Sequence, residues 1–143
     1  MRNLTFGIRD ISGWTMFIFG SMAFVFGIIG LIKPELVFTI LGIDSIDRAQ
    51  RAAGDFTLPF VAASSMASFN MGVYYVLAAL NDQKAFYSWT VPFRGVTFTV
   101  FTILVLTGLA PIGWFGVALW ELCGGIATGL ALHFEKRKAR SVV

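Results

Sequence analysis

The sequence predicts an all-α, antiparallel four-helix bundle in a membrane, with a short interfacial helix after the first span. Three observations predict it. Hydrophobic residues make up 57% of the 143 and charged residues only 13%, about half the charged share of a soluble domain. The mean hydropathy is +0.77. Four apolar segments, near 11–32, 56–80, 89–109 and 112–134, each reach the ~20 residues that carry a helix across a ~30 Å hydrocarbon core. Helices are the form such segments must take, because backbone N–H and C=O groups find no water there. The whole chain reads as one transmembrane domain with a basic tail at 135–143.

The first segment is too long for a signal-peptide core, and no small-x-small cleavage site follows it. It is read as a permanent span. The connection after it, KPELVFTILGIDSIDRAQRAAGD, is the one long loop. Pro34, Glu35 and Gly42 carry helix start and stop signals. Leu36, Val37, Ile40 and Leu41 then share an apolar face, which predicts a short helix at the membrane surface. A loop packed over the bundle is the alternative. Asp44 or Ser45 would cap an outer extension of the second span, on which Arg51 and Asp55 lie four apart and can pair. Pro59 predicts a kink near the outer end of that span. The turns NDQK and Ala110-Pro111 are tight, so the spans they join are antiparallel neighbours.

Lys and Arg set the orientation. Arg2, Arg9, Lys84, Arg94, Lys136, Arg137, Lys138 and Arg140 fall on the side of the termini, against Lys33, Arg48 and Arg51 opposite. That excess places both termini in the cytoplasm. Arg94, Lys136, Arg137, Lys138 and Arg140 are assigned to the cytoplasmic interface, with Arg94 snorkelling to the headgroups. The tail EKRKAR is expected to fray. A basic end beside an apolar run fits an anionic membrane surface and not nucleic acid.

Glu121 is the one charge within 113–134. At about 100° per residue it shares a stripe with Gly125 and Gly129, a GxxxG spacing that admits a neighbouring backbone. The carboxylate therefore turns into the bundle. Counting depth along the spans sets Asn70, Thr99, Thr102, Ser65 and Ser68 around it as an interior polar cluster. Arg94, assigned to the membrane edge, lies roughly 10 Å away in depth by the same count and is not expected to pair. An acid within a span marks a functional site by default; a hydrogen-bonded packing contact is the plain alternative.

No metal site is predicted, since no His, Cys and carboxylate group has ligand spacing. One histidine, His133, is read as interfacial and cannot give bis-histidine haem ligation. Cys123 is read as a small apolar residue. No resident cofactor is predicted. Phe17, Phe24, Phe56, Phe60, Phe98 and Phe101 suit lipid or core, or a flat hydrophobic ligand such as a quinone.

The length, the four spans, the segment LIKPELVFTILGID after the first span and the WTVPFR start of the third resemble the DoxX-like small four-helix bacterial membrane proteins. The resemblance implies a bacterial inner membrane and, for some members, a place in oxidoreductases that act on sulfur compounds and quinones. It carries no catalytic motif onto this chain. Three functions are left standing. The first is an accessory or scaffold subunit, or a binder of a hydrophobic ligand. The second is a redox subunit with a quinone-like substrate and Glu121 in proton transfer. The third is a proton-coupled transporter. Partners are the bilayer and other membrane subunits or a second copy of the chain.

Overall fold

The computed structural model describes residues 7–141; Arg2, Val142 and Val143 lie outside them. Five helices form: α1 (Ile11–Ile32), α2 (Glu35–Ile40), α3 (Thr57–Leu80), α4 (Lys84–Leu106) and α5 (Gly113–Arg140), with a 3₁₀ turn at Arg48–Gln50. Four of them, α1, α3, α4 and α5, are long and apolar enough to cross a membrane. No strand occurs among the described residues.

α1 lies at the centre of the packing. It runs against α3 along its length and touches α5, and α5 pairs with α4. The α1–α3 seam is closed by missing side chains. A Cβ on Gly20 would lie 2.9 Å from the Val76 nitrogen, and one on Gly27 would lie 2.5 Å from the Phe69 nitrogen and 2.7 Å from its Cα. In lipid the water-driven hydrophobic term is absent, and close backbone approach supplies the dispersion that holds helices together. α3 and α4 share a tight turn but meet through long side chains. Tyr75 and Phe86 stack edge to face at 5.6 Å, and the Tyr87 hydroxyl donates to the Ala78 carbonyl at 3.1 Å. Met16, Ala78, Ala79, Tyr87 and Leu132 form the buried core, which sits near the ends of α3 and α5 and the start of α4, at the terminus end of the bundle.

Several boundaries differ from the sequence reading. α4 starts at Lys84, five residues before the expected 89, because the polar stretch KAFYS lowers hydropathy without breaking the helix. The tail expected to fray continues α5 through Arg140. Pro59 produces no interior break: it falls in the first turn of α3, where backbone N–H groups have no intrahelical acceptor anyway. Pro92 is the interior proline, and it leaves the Ser88 carbonyl without its ladder partner.

α2 forms as a helix and also packs over the far end of the bundle. Val37 rests near Gly30, and the Leu41 carbonyl occupies the space a side chain on Gly113 would need. Leu36 and Ile40 remain exposed. Gly42 ends α2 with φ +68°, a left-handed turn that glycine takes without strain. The outer extension of α3 does not form. Asp47, rather than Asp44 or Ser45, caps the 3₁₀ turn. Arg51 and Asp55 do pair, at 2.8 Å, but on loop backbone.

Gly27→Ala is expected to destabilise the bundle by about 1–3 kcal/mol, because the new methyl meets the α3 backbone. Gly116→Ala, whose Cβ meets nothing within 4 Å, is expected to be neutral or stabilising by up to about 1 kcal/mol through helix propensity. Unfolding in mixed micelles checks the pair. Equal effects would remove the close-approach account of the seam.

Candidate functional site

Arg94 is the centre of the site. It lies ten residues beyond Lys84 in α4, or ~15 Å along the helix, and its side chain is 2% exposed. The sequence reading set Arg94 at the cytoplasmic interface. The structure places Arg94 at the middle of α4, with its side chain turned into the bundle and not along its surface. Gly124 of α5 makes room for it, since a Cβ there would collide with both the Arg94 guanidinium and the Phe19 ring.

Two aromatic rings lie against the guanidinium. Its Cζ lies 3.8 Å from the Phe19 ring centroid and 5.1 Å from that of Tyr75. Phe19 in turn stacks on Trp120 at 4.3 Å. Such faces attract a cation most where water is excluded. Glu121 supplies the counter-charge, with Oε2 4.0 Å from Arg94 Nε. The separation is an ion-pair distance, too long for a hydrogen bond. Nε, Nη1 and Nη2 of Arg94 are all buried without a hydrogen-bond acceptor among the described residues. The Glu121 side chain keeps 27% of its surface accessible. The pairing disfavoured on depth is thus the one ion pair recorded within the bundle at this level.

The expected polar cluster does not assemble around Glu121. Thr99 is exposed and donates to the Gly95 carbonyl at 2.9 Å. Ser65 donates to the Val61 carbonyl at 2.8 Å. Ser68 donates across to the Ala23 carbonyl of α1 at 3.0 Å. Asn70 is half-buried, and Thr102 has a buried hydroxyl with no partner among the described residues. The reason is local. Ser and Thr satisfy themselves on the carbonyl one turn back, and the α3 serines turn toward α1. Gly125 and Gly129 face Val91 and Arg94 of α4. Cys123 and His133 are exposed. Lys136, Arg137, Lys138 and Arg140 lie exposed on the last turns of α5.

A second polar group, missed in the sequence, ties the terminus end. Asp10 caps α1 by accepting from the Gly13 N–H at 2.9 Å. Glu135 of α5 accepts from the Ser12 N–H at 2.8 Å and from its hydroxyl at 2.9 Å. Lys84 bonds to Asp10, to the Ser12 hydroxyl at 2.7 Å and to Glu135 at 2.8 Å. Each acid stabilises the positive N-terminus of α1, and Lys84 pairs with both. Deeper in the α1–α5 seam, the hydroxyls of Thr15 and Thr128 meet at 3.0 Å. Among the described residues no group of His, Cys, Asp and Glu has the arrangement of a metal site.

Comparisons with protein-family models, with curated proteins and with solved structures find no match for the chain.

Two outcomes follow from these contacts. Arg94→Met alone is expected to destabilise the protein by roughly 3–5 kcal/mol, because it strands Glu121, whereas Arg94→Met with Glu121→Leu recovers most of that loss. Unfolding in mixed micelles measures both, and additive losses would mean the two residues are not coupled. At the other end, burial opposes the Asp10 carboxylate, but Lys84 and the Gly13 N–H outweigh it and hold Asp10 below its ordinary value of 3.8. The stabilisation is full above that value and is lost as pH falls through the lower folded one. Melting temperature is expected to fall further between pH 6 and pH 3 in the wild type than in Asp10→Asn; equal falls would remove Asp10 as a source.

Proposed function

We propose that the chain is a non-catalytic integral membrane protein that binds a hydrophobic ligand at Arg94. The observation that carries this reading is a guanidinium 2% exposed, with three nitrogens free of acceptors among the described residues. Buried donors are paired almost without exception, and leaving them bare opposes folding. An arginine kept in that state is well suited to an incoming acceptor. Phe19, Tyr75 and Trp120 give the same place apolar walls. The ligand's tail would remain among the lipid chains.

The proposed setting is a bacterial inner membrane with both termini in the cytoplasm. Arg94 no longer counts toward orientation. Arg9, Lys84, Lys136, Arg137, Lys138 and Arg140 at one end still outnumber Lys33, Arg48 and Arg51 at the other, in accord with the positive-inside bias. The DoxX-like resemblance supports the bacterial setting. An accessory place in a larger membrane complex is compatible with this role. A quinone-linked redox subunit is the second reading. It is favoured by a partly accessible acid paired with an arginine that lies against aromatic rings, with Glu121 as the proton carrier.

Native mass spectrometry of the protein extracted from its own membranes in mild detergent tests the proposal. The expected result is one apolar small molecule per chain, lost in Arg94→Gln. Bound quinone with redox-active absorbance would favour the second reading. A chain that emerges without any small molecule overturns ligand binding.

A further inference from the structure

Resting on the ligand-binding reading, we propose that the bound head group is neutral and bears oxygen acceptors, as an ester or ketone does. In this arrangement Arg94 donates to it and Glu121 enforces its neutrality. Phe19 and Tyr75 lie against the guanidinium at 3.8 Å and 5.1 Å, and its three nitrogens are buried without an acceptor among the described residues, so a ligand must displace packing to supply one. Glu121 approaches the Nε edge without bonding to it. A head with one or two oxygens in the guanidinium plane completes the donors, as the planar fork of arginine favours.

Charge then selects among oxygen-bearing heads. Arg94 and Glu121 together sum to zero, and the next charged group is the Asp10, Lys84 and Glu135 cluster, ten residues away along α4. That is ~15 Å by helical rise. A carbonyl head leaves the interior balanced. An anionic head places a second negative charge beside Glu121 with only one cation to share, in surroundings where an uncompensated charge is strongly disfavoured. A cationic head meets the guanidinium. Glu121 is thus a specificity residue, the partly accessible partner of the buried Arg94.

Trp120, stacked on Phe19, reports on the site. The test uses the full chain in detergent micelles, with Trp14→Phe, Trp89→Phe and Trp114→Phe leaving Trp120 as the sole indole. Three brominated quenchers of equal chain length are titrated: a methyl ester, an alkane and an alkyl sulfonate. The ester is expected to quench Trp120 at about tenfold lower concentration than the other two. In Glu121→Gln the sulfonate overtakes the ester by about tenfold, because the site then carries one net positive charge. Arg94→Gln removes the preference of ester over alkane.

The wild-type ranking decides the matter even if a variant fails to fold. Quenching led by the sulfonate, or equal for ester and alkane, overturns the neutral-head inference while leaving binding intact. Absence of quenching by all three overturns the binding reading along with it.

Discussion

A positive charge far from water must be answered, and the middle of this bundle is arranged around that requirement. Arg94 is nearly sealed, and a lone guanidinium in low dielectric is untenable. Three helices respond. α1 and α3 bring aromatic faces, Phe19 and Tyr75, and α5 brings a carboxylate and, at Gly124, an absent side chain. Moving any of these helices by one residue would rotate its contribution away by about 100°. The charge therefore fixes the register of the spans, while lipid alone would let apolar helices slide and turn.

Small residues and ion contacts divide the remaining work by depth. Along α1 and α3, glycines bring backbones together, and Ser68 adds a hydrogen bond to the Ala23 carbonyl. At the terminus end, Asp10, Lys84 and Glu135 tie three helix ends through charge. The opposite end is covered by α2 and its loop, in which Glu35 pairs with Arg48. That bond draws the Glu35 carboxyl down to about 2, although Arg48 is exposed and surface pairs of this kind contribute little.

The spans were legible because their signal is composition over twenty residues, and Glu121 was legible because a single acid in such a run has no rival. Arg94 was misplaced for a related reason. Hydropathy locates the oily part of a helix, not the direction of a long side chain, and Arg94 turns into the bundle. The GxxxG motif drew attention to Gly125 and Gly129, yet Gly124 is the glycine whose missing side chain Arg94 and Phe19 occupy. Spacing along one helix cannot say which neighbour faces it. The hydroxyl cluster failed on the same ground: equal depth was mistaken for adjacency. The Asp10, Lys84 and Glu135 contacts join residues 51 to 123 positions apart once Ser12 is included, and no local pattern announces them.

The buried core of Met16, Tyr87, Ala78, Ala79 and Leu132 belongs to the terminus half, and the strongest ties lie there as well. Toward the other end the ties are steric: Gly27 and Gly30 hold α1 against α3, and the Leu41 carbonyl sits against Gly113. One half is thus joined by charge and the other by fit, so salt and acid act on the first and leave the second untouched.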